Sequence, residues 1–504
     1  MTLISRIFGF IRDMVIASQF GATASTDAFF VAFKIPNLLR RLFAEGAFSQ
    51  SFIPVLSALK ESGQRNQVKD FIDQMTGSFA LILSVITGLG MVMSPLLIMG
   101  FAPGFNLHPE QYGLSVDMLR ITFPYLFFIC LTALSGGILN TWNHFAIPAI
   151  TPILLNLTLI TASIWLAPHL ERPITALAWA VVIAGALQLG LQIPSLQRLN
   201  LLPRPRIDFR NRGVKRVLRL MVPAMAGASI GQINLMVSAM MASLLATGSI
   251  SWLYYADRLM EFPLGVFGVG IGTVILPHLS RIHTHHHYQA FSSTLGWALR
   301  WVSLIGFPAS IGMFVLSRPL IYTLFQRNEF SLLDAQMAAR SLMAYSLGLI
   351  GFLAIKVLIP GFSAREDLMT PARYGTYAVG INFVLSLLLV GGAAPDGWQH
   401  AGLALAVSLA ALTNAALLYI KLLRIKAYTP EPGQWAFHGR VLLAGTAMGA
   451  LLLNAAEDYP WEVWTTGERV LHLALCISLA VAIYLVMLFL FGMRSRQLLM
   501  DPVH

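Results

Sequence analysis

The sequence predicts an all-α integral membrane protein of about fourteen transmembrane helices. They form two six-helix lobes around a central cavity, followed by two C-terminal helices. Three observations carry this expectation. Of 504 residues, 56% are hydrophobic and only 11% charged, against roughly 25% charged in soluble domains. Apolar runs of about 20 residues, long enough to cross the hydrocarbon layer as a helix, recur from end to end. Short motifs also repeat in order at a fixed separation, as a duplicated half would require.

Taken in order, the apolar windows and turn signals give helices over roughly 2–20, 26–58, 71–101, 114–140, 147–168, 174–197, 214–246, 251–281, 291–325, 333–361, 371–392, 400–424, 434–456 and 468–493. The N-terminus enters the first of these directly, with no cleavable signal pattern. The second and eighth are longer than a straight crossing needs, and Pro36, Gly46 and Pro263 are natural break points. Basic residues gather in alternate loops: Lys60, Arg65 and Lys69 after helix two, Arg198 to Arg219 between six and seven, and Lys421, Arg424 and Lys426 after twelve. Loops such as "GATAST" and "APGFNLHPEQYG" carry none. The positive-inside rule then places both termini in the cytoplasm. It also accounts for the net charge of +11 without any nucleic-acid partner.

"PVLS" from Pro54 returns as "PHLS" from Pro277, and "IPA" with Pro148 returns as "TPA" with Pro371, both 223 residues apart; "PLLI" from Pro95 returns as "PLIY" from Pro319 after 224. Three matches in order imply two halves of like orientation, an architecture that places a transporter's substrate site between its repeats. The expected organisation is a first lobe over 1–200, a basic cytoplasmic linker over 201–213, and a second lobe over 214–427. The last two helices and a cytoplasmic tail occupy 428–504. Prolines and charges in "RLNLLPRPRIDFRNRGVKR" argue against burial of the linker.

The informative charges lie inside membrane segments. In "SRIFGFIRDM", Ser5, Arg6, Gly9, Arg12 and Asp13 share one arc of the helical wheel. Each charge at mid-membrane costs about 2.5–3.5 kcal/mol, so three facing lipid would cost on the order of 8–10 kcal/mol. That face therefore looks into water or onto partner charges. Helix two supplies Asp27, Lys34, Arg40, Arg41 and Glu45, and helix eight supplies Asp257, Arg258 and Glu261. Purely structural ion pairs would lock helices together. Arginine, however, outnumbers the available acids, and its planar fork suits phosphate. A surplus-cation cavity predicts an anionic substrate that bears phosphate, held by Arg6, Arg12, Arg40, Arg41 and Arg258. Asp13, Asp27, Lys34, Glu45, Asp257 and Glu261 are then further charges of the same cavity.

Other signals have plainer readings. "HTHHH" at 283–287 reads as a solvated loop rather than a metal tract, and "GVFGVGIG" from Gly265 as close helix packing rather than a nucleotide loop. Glu366 and Asp367 fit a turn before Pro371. Cys130 and Cys476 are isolated. No Walker motif, metal cluster or nucleophile–base pair stands out, so no cofactor or metal is expected and a transporter is favoured over an enzyme. A membrane transferase acting on polyprenyl phosphates is the competing class.

"SRIFGFIRD", "TDAFFVAFKIPNLLRRLFAEGAFSQSFIP", "ILNTWNHFAIPA" and "YYADRLMEFPLGVFGVGIGTVILPHLS" resemble the signature stretches of the MurJ (MviN) lipid II flippase family, within the MOP transporter superfamily. The likeness runs from the first helix to the last. It implies transport of undecaprenyl-diphosphate-MurNAc-pentapeptide-GlcNAc from the inner to the outer leaflet of a bacterial cytoplasmic membrane, with cell-wall synthesis proteins as neighbours. It also implies a polyprenyl-tail groove at the last two helices. Arg6, Arg12, Arg40 and Arg258 match the family's cavity arginines; Asp13, Asp27, Lys34, Asp257 and Glu261 match its cavity and gate charges. Other MOP exporters, for polysaccharide units or drugs, are the alternative. Some members bind sodium through an acid on helix seven, whereas here that helix offers Asn234 and Ser238, and helix eleven only Asn382. The first helix also starts abruptly against the family pattern.

Overall fold

The computed structural model describes residues 2–284, 288–395, 397–457 and 459–493. All regular structure among them is helical. Among the described residues twelve helices are long and apolar enough to cross a membrane, two fewer than the fourteen expected. Two further long helices, Thr2–Phe20 and Arg212–Ser243, complete the series in chain order. The first of these carries Arg6, Arg12 and Asp13, and those charges lower its apolar character.

We number the long helices α1 (Thr2–Phe20), α2 (Ala24–Glu61), α3 (Arg65–Val92), α4 (Pro109–Thr141), α5 (Ala146–His169), α6 (Thr175–Arg198) and α7 (Arg212–Ser243). The later ones are α8 (Ser249–His283), α9 (Tyr288–Val315), α10 (Leu332–Ser363), α11 (Met369–Gly392), α12 (Gln399–Arg424), α13 (Gln434–Leu453) and α14 (Thr466–Leu490). Their bounds repeat with the separation read from the prolines. Arg65–Val92 and Tyr288–Val315 are both 28 residues long and start 223 apart, as do the short helices Ser94–Phe101 and Ser317–Leu324. α2 and α8 also widen into π-helical turns that begin 223 residues apart, at Arg41 and Leu264. Gly46 lies within the first widened stretch and Pro263 immediately precedes the second. The long helices therefore change pitch near the expected break points but do not stop there.

The chain divides into two compact units, 1–251 and 252–504. In the first, α1 packs on α5, α2 and α6 pack on α4, and α7 lies against residues 41–61. Sequence reasoning assigned α7 to the second lobe, whereas its contacts place it in the first compact unit. The linker is strapped to α3. Asp73 accepts the Arg204 N–H through its carboxylate (2.7 Å) and the Arg206 N–H through its carbonyl (3.0 Å). Gly77 is required beneath this strap, because a Cβ there would strike the Arg206 backbone. The Arg204, Arg206 and Arg210 side chains stay exposed while Leu201 is buried. The linker is thus a fixed strap with a wet outer face.

In the second unit α10 is central, packing on α9 and α12. Small residues allow this. A Cβ on Gly348 would lie 2.6 Å from the Ser408 Cα, and the Ser408 hydroxyl donates to the Ala344 carbonyl at 2.8 Å. α13 packs on α9, where Ile311 fills the space left by Gly445 and Gly449, and α14 packs on α13. Arg469 of α14 is buried and donates to the carbonyls of Tyr322 (3.1 Å), Gln326 (3.4 Å) and Glu462 (3.1 Å). A cation over the C-terminal carbonyls that follow Ser317–Leu324 satisfies groups the helix leaves unpaired.

Candidate functional site

In the first unit, the polar arc of α1 faces α5. Arg12 curls back along its own helix and donates to Asp13 Oδ1 through Nε (2.9 Å) and Nη2 (2.6 Å). Its Nη1 donates to the Asn156 side-chain carbonyl at 3.0 Å, and the Asn156 amide donates to the Ser5 carbonyl at 3.2 Å. The Arg12 and Asp13 side chains are only 9% and 2% exposed. Arg6, expected on the same arc, is exposed. Asn156 is the residue that sequence reasoning missed. Its signal was a lone amide in the apolar run "ITPILLNLTLIT", where an unpaired side chain would be costly.

Asp27, in the first turn of α2, is buried. Its carboxylate accepts the Gly248 N–H (2.7 Å), the Ser251 N–H (2.9 Å) and the Ser251 hydroxyl (2.6 Å). Those donors open α8, so Asp27 serves as a carboxylate cap where backbone N–H groups are unsatisfied and the helix dipole is positive. Lys34, Arg40 and Arg41 are half-buried, and Arg40 Nε donates to the Asn37 side chain at 2.8 Å. The backbone of Glu45 belongs to the π-helical stretch of α2, while its side chain lies outside the described residues.

In the second unit, Arg258 Nη1 meets Glu261 at 2.8 Å, with side-chain exposures of 30% and 41%. The guanidinium also stands 4.8 Å from the centre of the Tyr254 ring, one turn back on the same helix. Asp257 is half-buried beside them. The aromatic face below and the carboxylate beside it together fix the orientation of the guanidinium.

The plainer motifs also find places. Gly268 and Gly272 bring α8 close to α10, with Leu353 and the Lys356 carbonyl within 3.3 Å of where a Cβ would lie. Asp367 accepts the Thr370 N–H at 2.9 Å in the turn before α11. Burial works to raise its carboxyl, and the bonds from Thr370 outweigh that and hold it below the ordinary value. Residues 285–287 of the histidine tract lie outside the described residues. Among the described residues no cluster of His, Cys, Asp or Glu could hold a metal ion.

The fold places the chain in a class. A solved multidrug-resistance MATE transporter of the MOP superfamily, in an inward-facing conformation, superposes with a TM-score of 0.69 over 84% of this chain and 95% of that one, at 11% identity. The two chains therefore share a multi-span helical fold. A second solved structure, described as lipid II flippase MurJ in an inward closed conformation, reaches a TM-score of 0.81 at 26% identity over 97% of both chains. The family model described as lipid II flippase MurJ matches residues 16–475. The probable lipid II flippase MurJ of Vibrio cholerae is 43% identical, covering 99% of this chain and 95% of that one. The Haemophilus influenzae protein of the same description is 41% identical over 99% of both. The chain belongs to the MurJ family of lipid II flippases, which are transporters and not enzymes.

Proposed function

We propose that this protein moves lipid II, the polyprenyl-diphosphate-linked peptidoglycan precursor, from the inner to the outer leaflet of the bacterial cytoplasmic membrane. One observation carries the reading: in a chain of this family, two membrane arginines are each held by a neighbouring carboxylate, Arg12 by Asp13 and Arg258 by Glu261. A diphosphate offers the same bidentate oxygen geometry with more charge. It would displace those carboxylates from Arg12 and Arg258 and engage Arg6, Arg40 and Arg41 in passage. When the site is empty, the acids limit the cost of an unpaired buried cation. Asp27, Lys34, Glu45 and Asp257 serve as gating charges, with Asp27 capping α8 in one of the transport states. The polyprenyl chain stays in lipid against α13 and α14, where Leu443, Leu471, Leu475 and Leu485 are exposed. Both termini are cytoplasmic, and cell-wall synthesis proteins receive the product.

The direction of transport comes from the membrane potential. Moving one negative charge outward across 100 mV, inside negative, is worth about 2.3 kcal/mol. In cells depleted of the protein, wild type should restore outer-leaflet accessibility of lipid II, while Arg12→Ala and Arg258→Ala should not. Rescue by both variants would remove the anion site. Collapsing the potential while preserving ion gradients should arrest transport, and undiminished transport would refute that drive.

A further inference from the structure

Three turns of the first unit, each expected to face the cytoplasm, meet around a cavity of about 390 Å³. Its lining includes Lys60 at the end of α2, Arg65 at the start of α3, Arg198 at the end of α6, and Trp142 just beyond α4. No carboxylate lines it among the described residues. Lys60 donates to the Thr141 carbonyl at 2.7 Å and stands 5.1 Å from the Trp142 ring centre. Arg65 donates to the Leu199 carbonyl at 3.3 Å. Capping the C-termini of α4 and α6 would account for these two contacts by themselves. Arg198, in the last turn of α6, suits the dipole of its own helix in the same way, but helix ends do not account for the convergence of three cations from three turns on one space.

The donor inventory favours a ligand. Lysine has three donors and arginine five, and each of these two side chains directs one bond at a helix end. Helix termini thus fix Lys60 and Arg65 in place and leave further N–H groups for a partner. Three positive charges around one hollow repel one another until an anion enters. The volume exceeds what a bare phosphate fills, and Val68, Leu201 and the Trp142 ring supply an apolar wall.

We propose that this cavity binds a phosphate ester: Lys60, Arg65 and Arg198 take the phosphate, and Trp142 with Val68 packs the esterified group. The site shares no residue with the arginines assigned to lipid II. The ester could be the glycerophosphate headgroup of an anionic lipid in the adjoining leaflet or a soluble metabolite, and the chemistry of recognition is the same.

The test uses the full chain in phosphatidylcholine nanodiscs and reads apparent affinity from the thermal midpoint. The probes are added phosphatidylglycerol or, separately, glycerol 1-phosphate in solution. Wild type should gain stability, and added salt should weaken the effect. Charge-assisted bonds to phosphate are worth about 1.5–3 kcal/mol each, so Arg198→Gln should weaken binding about tenfold or more. Arg198→Gln removes no helix cap, so it should fold normally. The triple variant with Lys60→Gln and Arg65→Gln should abolish the response. Removing equal charge from the linker and the start of α7, by Arg210→Gln, Arg212→Gln and Arg216→Gln, should leave it within about twofold. Response to the lipid alone assigns a headgroup, and response to both probes assigns a soluble ester. No response in wild type, or equal responses in wild type and Arg198→Gln, would overturn the site.

Discussion

Two of the arginine–carboxylate pairs on the long helices, Arg12–Asp13 and Arg258–Glu261, have surroundings that differ sharply. Arg12 and Asp13 are 9% and 2% exposed, and Asn156 also accepts from Arg12. Arg258 and Glu261 are 30% and 41% exposed, with Tyr254 beneath the guanidinium. The bond lengths are similar, at 2.6 and 2.8 Å, so geometry does not distinguish the pairs; solvent does. A pair stripped of water depends on its partner far more than a wet one, because a lone charge left behind has nothing to replace the lost interaction. The first pair therefore parts only when substrate oxygens take the place of the carboxylate. The second is built for exchange, since water can cover either group while a substrate oxygen arrives.

The largest effect should follow from breaking the dry pair. Asp13→Ala leaves the Arg12 guanidinium buried without the carboxylate that takes two of its N–H bonds, and removal of one partner of a buried pair costs about 3–5 kcal/mol. Denaturant unfolding of the purified protein in detergent measures this. A loss under about 1 kcal/mol, the range of an exposed pair, would mean that water reaches Arg12 and would erase the contrast.

Asp27 sharpens the comparison, because it is as buried as Asp13 yet is held by two backbone N–H groups and a hydroxyl. Asp27→Asn keeps the shape and removes the charge that favours a helix N-terminus. The expected loss is smaller, about 1–2 kcal/mol, the upper range for a cap. Hydrogen exchange at Gly248 and Ser251 should quicken in the variant. Unchanged exchange there would show that the carboxylate does not hold the start of α8.

Much of this was legible in the sequence, and for identifiable reasons. Apolar runs fixed the helical membrane class, because the bilayer tolerates few other solutions. Spaced prolines revealed the repeat, and it returns in helix bounds and in π-helical turns that no proline motif specified. The charged stretches on α1, α2 and α8 stood out against an almost uncharged background. What could not be read was pairing across sequence distance. Asn156 lies 144 residues from Arg12, and a single amide in an apolar run names no partner. The strap was missed because its bonds to Asp73 come largely from its backbone, which composition does not report.

The smallest effect is expected at the wet pair, and it tests the contrast from the other side. In Glu261→Gln the Arg258 guanidinium keeps access to water and remains over Tyr254, a cation–π contact worth about 0.5–1 kcal/mol at exposed sites. The stability change should stay within about 1 kcal/mol, as for exposed pairs generally. Unfolding Glu261→Gln and Asp13→Ala side by side gives a difference that cancels errors of extrapolation common to both. A cost at Glu261 equal to that at Asp13 would mean that Arg258 depends on its carboxylate as a sealed cation does. A diphosphate would then have to replace the carboxylate in a sealed setting, as it must at Arg12, and the ready exchange inferred for Arg258 would fail.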